Sequence, residues 1–305
     1  MLPLTLVADA TLSGRPTRLD YQSLDTQRHL LFIAHLGDSA VIVFDTQAHR
    51  VVATIPGVAA VHGLLAVPSL NTVYASATGT NELVAIDEST LKVRWRAAAG
   101  VYPDGIAYDP VNGHLFVSDE HGNTDTVIDA TRGVRIDTIS LGGEVGNTQY
   151  DPHSRHIFVN VEGRTQLVEI DPLARAIVRK MRLTGCDGNH GLLIDAPRRH
   201  AFIACENNAT LLEIDLSTMH QLGKWSTGAD PDVLAMDARA NTLYVAAESG
   251  IVAMFRSGVT VTKIAQAFLA PEAHTVSVDP QTHLSYWPLQ DMAGRAVLRT
   301  LELQE

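Results

Sequence analysis

Short apolar runs alternate with polar turns from one end of the chain to the other, and one phrase keeps returning. It is an apolar strand, an Asp-containing turn, then a second strand with an aromatic residue near its start. The phrase reads LDTQRHLLFIAH at 24–35, YDPVNGHLFVSDE at 108–120 and YDPHSRHIFVNVE at 150–162. It recurs as IDAPRRHAFIACE at 194–206, MDARANTLYVAAE at 236–248 and VDPQTHLSYWPLQ at 278–290, and as AVPSLNTVYASAT at 66–78 with Val67 in place of the Asp. Third strands with a second Asp turn follow (VIVFDTQ, LVAIDES, DTVIDAT, LVEIDPL and LLEIDLS), and then a fourth strand such as VVATIPG or LKVRWRA. Runs this short, rich in β-branched and aromatic residues and separated by Asp, Pro, Gly and Asn, predict strands. Four strands per unit of about 40 residues predict propeller blades.

Seven copies are present, and the two ends complete each other. The last copy, from His274, stops one strand short, while LPLTLVADATL at the start is a strand with no preceding three. Pairing them predicts an all-β, seven-bladed propeller of four antiparallel strands per blade, a single domain over 1–305 closed by its N-terminal strand.

Composition narrows the partners. The 305 residues are 46% hydrophobic and 19% charged, enough to build a large core, and carry a formal charge of −11. A field of that sign, with no basic cluster to override it, argues against nucleic acid and anionic membranes. No apolar run reaches the ~20 residues of a spanning helix, and the first residues lack the basic n-region of a secretory signal. The expectation is a periplasmic protein if an export signal has been removed, and otherwise a cytoplasmic one. Cys186 and Cys205 permit one disulfide at most.

The strand pairs NTVYASATGTNELVAID and NTLYVAAESG, with LDYQSLD at 19–25, resemble the YVTN/YncE-like family of seven-bladed propellers. The resemblance touches essentially every blade and implies the fold; its members mix binding proteins with relatives proposed as metal-dependent enzymes. The Gly-His and Trp-Asp pairs of WD40 repeats are absent.

Thirteen histidines invite a metal, and the repeat sorts them. His29, His114, His156, His200 and His283 recur just before each aromatic and read as turn and edge packing, as do His49, His153 and His220. Asp25, Asp109, Asp151, Asp195, Asp237 and Asp279, and the third-strand acids Asp45, Asp87, Asp129, Asp171 and Asp215, read as turn residues that accept backbone hydrogen bonds.

One position remains, where each innermost strand begins beside the axis. Copy by copy it holds Asp20, His62, Asp104, Gly146, His190, Asp232 and His274, at intervals of 42, 42, 42, 44, 42 and 42 residues. The histidines fall in blades 2, 5 and 7, as near to threefold spacing as seven blades allow. They are expected to converge on a divalent metal, with Zn the leading choice and Fe, Mn, Ni or Cu compatible. Asp20, Asp104 and Asp232 are expected to orient the rings from behind. Loops on the same face carry Glu120, Glu162, Glu206 and Glu248 as candidate general bases, with His35, His121 and both cysteines nearby.

Two functions follow. One is a metal-dependent enzyme on a small polar substrate at the axial mouth, a hydrolase acting on a lactone or ester by default and a lyase or isomerase otherwise. The other is a non-catalytic scaffold that binds a protein or ligand, its channel filled by water or a structural ion. No phosphate-binding Gly loop, nucleophile elbow or HExxH helix points elsewhere.

Overall fold

A computed structural model describes residues 1–304. Seven antiparallel sheets of four strands form a ring, in the blade order expected from the repeat. The innermost strands are Gln22–Asp25, Val61–Val67, Pro103–Asp109, Val145–Asp151, Asn189–Asp195, Pro231–Asp237 and Ser277–Asp279, blades 1 to 7 in order. The N-terminal strand Leu4–Thr11 is the outermost strand of blade 7. It pairs antiparallel with Val297–Leu303 and closes the ring.

The core lies between blades. Because strand side chains alternate between faces, each sheet is apolar on both sides and packs against two neighbours. Seven buried clusters result, one per interface. Phe32, Val41 and Val43 of blade 1 pack on Val73 and Val84 of blade 2, and Leu31, Ile33 and Phe44 pack on Tyr286 and Leu298 of blade 7. The outer strands alternate exposed and half-buried residues, as in Ala176–Arg182. Trp287 is fully buried in the interface of blades 6 and 7, and Trp95 and Trp225 pack at the edges of two others.

The repeated acids do the local work expected of them. Asp25 Oδ1 accepts from the backbone of Gln27 at 2.8 Å, and Asp45 Oδ1 from Gln47 at 2.9 Å. The edge histidines pair with acids of their own or the neighbouring blade: His156 with Glu169 at 2.6 Å, His200 with Glu213 at 2.8 Å and His283 with Asp237 at 2.7 Å. Among the described residues, no helix is long and apolar enough to cross a membrane.

Candidate functional site at the axial mouth

The axial residues are aimed by a recurring backbone defect. In blades 2 to 6 the pairing of first and second strands skips between Val61 and Leu64, Pro103 and Ile106, Val145 and Thr148, Asn189 and Leu192, and Pro231 and Leu234. Each skip is a bulge, which bends the strand and re-aims a side chain. Within those gaps lie His62, Asp104, Gly146, His190 and Asp232. The next residue is often Gly because neighbouring backbones touch there. A Cβ on Gly63 would stand 1.9 Å from the Asp104 carbonyl oxygen, and one on Gly191 2.0 Å from that of Asp232. Side chains of preceding blades serve the axial carbonyls: Ser76 donates to Asp104 O at 2.6 Å and Asn160 to His190 O at 2.9 Å. Blade 4 has Gly146 in place of Asp or His because a Cβ there would meet His190 Cα at 2.7 Å and Glu162 Oε1 at 2.9 Å.

Together these elements form a cavity of about 180 Å³, walled by Asp20, His62, Asp104, His190 and Asp232 with Glu120, Glu162, Glu206 and Glu248, and also by Arg18, Tyr21 and Tyr102. The structure thus gathers nine of the ten sequence-predicted site residues on one cavity wall. The tenth, His274, is buried beside it, with one ring nitrogen within 4.8 Å of carboxylate oxygens of Asp20 and Asp232.

The structure does not bring the three imidazoles onto one point. Among the described residues, ligand atoms come within 4.8 Å of one another in three groups: Asp20, Asp232 and His274; Glu162, His190 and Glu206; and Glu120, His121 and Glu144. Local partners explain the separation. His190 Nδ1 donates to Glu162 at 2.7 Å, and Nε2 lies 2.9 Å from Tyr21 Oη and 3.4 Å from Asp104 Oδ2. His62 Nδ1 donates to the Ala60 carbonyl at 2.9 Å, and Nε2 is 3.2 Å from Tyr102 Oη and 3.9 Å from Asp20. His274 Nδ1 donates to the Glu272 carbonyl at 2.9 Å, which in the neutral ring places the lone pair on Nε2. That buried nitrogen has no hydrogen-bond partner among the described residues.

Ala60 and Glu272 supply the same device. Each lies two residues before its histidine with φ of 43° and 53°, in the left-handed region. This turn points the carbonyl at the ring and fixes the tautomer that offers Nε2. Before His190 the equivalent residue, Gly188, is left-handed too, with φ of 68°, but there the nearby Glu162 carboxylate takes Nδ1 instead.

Two tyrosines that sequence reasoning missed complete the site. Tyr21 comes from blade 1, yet its hydroxyl reaches His190 of blade 5, donates to Asp232 of blade 6 at 3.2 Å and accepts from Asn147 of blade 4 at 2.7 Å. It lies across the axis and divides the acidic cavity from the wider channel of about 610 Å³ toward the other face. Its signal was its size, in a column that otherwise reads Gly63, Gly105, Asn147, Gly191, Val233 and Thr275. Tyr102 packs on His62 and on His121, with ring centroids 5.2 and 4.3 Å apart.

The rim acids are not equivalent. Arg18 holds Glu248 at 2.6 Å, and Glu162 holds His190. Burial, reinforced by the charges of Asp104 and Glu162, pushes Glu120 up to about 8. Burial with Asp232 and Glu162 close by pushes Glu206 up to about 7. Asp232 rises to about 6, chiefly from burial. Burial works against a charged His190, but contacts with Tyr21, Asp104, Glu162 and Glu206 outweigh it, and its pKa lies well above the ordinary value. Of the flanking histidines, His35 is buried against Thr17 at 3.1 Å, and His121 sits exposed 3.1 Å from Glu144.

Cys186 and Cys205 form a disulfide, with Cα atoms 5.4 Å apart. It pins the crossing loop that leads to His190 against the strand that leads to Glu206.

No family model matches the chain, and no curated protein does. Solved structures do. A chain of hydrazine synthase from Kuenenia stuttgartiensis is similar at 13% identity and TM-score 0.80, over 94% of this chain and 97% of that one. U3-55K is similar at 10% identity and TM-score 0.82, over 97% and 98%. The WD40 repeats of RRP9 are similar at 9% identity and TM-score 0.82, over 98% and 100%. At such identities the likeness establishes the seven-bladed fold alone.

Proposed function

We propose that this protein is a divalent-metal-dependent enzyme of hydrolase type, working on a small polar substrate at the axial mouth. One observation carries the reading. Asp20, Asp232 and His274 are all buried, each offers a ligand atom within 4.8 Å of the others, and His274 presents an unpartnered Nε2 in the tautomer a metal needs. Two carboxylates and an imidazole form a donor set that suits Zn and accepts Mn, Fe, Ni or Cu. His62, 3.9 Å from Asp20, would stand behind that carboxylate. His190, with both nitrogens engaged and its charged form favoured, has no lone pair to give. A bound ion would supply a Lewis acid for a substrate oxygen.

The chain's own groups supply the proton chemistry. Glu206, near 7, can accept a proton from water at neutral pH, and Glu120, near 8, can deliver one to a leaving group. Either carboxyl can therefore exchange a proton near neutral pH. Glu162 orients His190, which fixes a positive charge beside Glu206. Glu248, held by Arg18, stands 3.5 Å from His274 Nδ1, which the Glu272 carbonyl positions. The YVTN/YncE-like resemblance of the strand pairs accommodates this activity.

The test is a panel of lactones and esters, assayed with and without chelator. Expected is chelator-sensitive hydrolysis that falls by about 10²–10⁴ in kcat in Glu206→Gln. Hydrolysis indifferent to both would overturn the reading, and a metal-free protein with no hydrolysis would leave the axial face as a binding scaffold.

A further inference from the structure

The axial cavity has a second end that the metal site leaves unused. Asp104 is buried to 1% exposure on the cavity wall, and among the described residues no donor hydrogen-bonds either carboxylate oxygen. The His190 ring, its charged form favoured, faces Oδ2 from 3.4 Å and offsets part of the charge, but Nε2 gives its hydrogen bond to Tyr21. A buried carboxylate left without donors is costly. Asp104 belongs to none of the groups in which three ligand atoms converge, so it lacks the companions that a metal ion requires.

Beside this end lies a mostly apolar shelf. Arg18, His62 and Tyr102 wall both the acidic cavity and a neighbouring depression, which continues over Leu36, Ala60, Thr78 and Gly79. With Arg18 tied up by Glu248 and Asp20, an acidic well opening onto an apolar, aromatic-edged shelf is the complement of an amine with a short hydrocarbon body.

We infer that the substrate carries a primary ammonium group, seated on Asp104, with an apolar arm lying across Tyr102 onto the Leu36 shelf. An ammonium has three N–H donors, two for the free oxygens of Asp104 and one for the Glu120 or Glu162 carboxyl in the same wall. The inference deepens the proposed function, because it takes this mouth to be the substrate site, but its readout is binding.

Calorimetric titration of tag-free protein with n-propyl-, n-butyl- and n-pentylammonium, with butanoate and 1-butanol as controls, tests it. Expected is ammonium binding that strengthens about fourfold per methylene, with no comparable binding of either control. Asp104→Asn should lose at least tenfold in ammonium affinity, and Leu36→Ala should flatten the chain-length series. Folding of each variant is checked by circular dichroism, and the wild-type series stands without them. No ammonium binding, equal binding of butanoate, or undiminished binding to folded Asp104→Asn would each overturn the inference. Metal content, measured on the same samples, reports separately on the ion site.

Discussion

Tyr21 Oη, from blade 1, stands 2.9 Å from Nε2 of His190, in blade 5. One hydroxyl therefore ties together blades that are far apart in sequence, and it also serves Asp232 and Asn147. Tyr21→Phe leaves these buried groups short of a partner. Urea unfolding should register a loss of about 1–3 kcal/mol; an unchanged midpoint would mean that the hydroxyl contributes nothing across the axis.

The glycine column predicts a contrast. Gly63→Ala and Gly191→Ala each drive a methyl into the backbone of the next blade, with Cβ 1.9 and 2.0 Å from a carbonyl oxygen. Each should cost about 1–3 kcal/mol. At Gly258 the nearest atom is 3.7 Å away, so Gly258→Ala should be close to neutral. Thermal melts of the three variants make the comparison.

The same column shows how far the sequence could be read. The repeat placed His62, His190 and His274 at one structural position, because a spacing near 42 residues carries every copy to the same place on its blade. It could not reveal that Ala60 and Glu272 carbonyls would take two of the rings while Glu162 takes the third, since all three follow a left-handed residue and the competing carboxylate comes from another blade. Nor could it weigh Tyr21, which occurs once and so leaves no periodic trace. The rim acids were legible as a ring. Their division into a held Glu248, an orienting Glu162 and poised Glu120 and Glu206 depends on burial and neighbours that only the folded chain supplies.

The disulfide gives a third prediction. Cys186 and Cys205 are separated by 19 residues in sequence, and closing a loop of that length stabilises by about 3 kcal/mol. The Cys186→Ser/Cys205→Ser double variant should unfold at correspondingly lower urea. Hydrogen exchange should rise first around Asn189 and Glu206, which the bridge anchors. Uniform exchange across all seven blades would refute that local role.

Blade 3 buries a pH response. Asp125 is fully enclosed, and burial with Asp119 nearby pushes its pKa up to about 8. The native state therefore keeps a proton that the unfolded chain releases above about 4. Its contribution is full below that value and is lost as pH rises toward 8. Asp125→Asn mimics the neutral acid. It should raise Tm by a few degrees at pH 8 and do little at pH 4; equal effects at both pH values would contradict the assignment.

The central claim is that Asp20, Asp232 and His274 hold a divalent ion beside the axis. Elemental analysis of protein purified without an affinity tag tests it most directly, with His274→Ala, Asp232→Asn and the opposite-face control His153→Ala measured alongside. The account predicts roughly one divalent ion per chain in wild type and His153→Ala, lost from both axial variants while their circular dichroism stays that of the folded propeller. Metal well below one ion per chain in wild type, or metal unchanged in folded His274→Ala and Asp232→Asn, would contradict it.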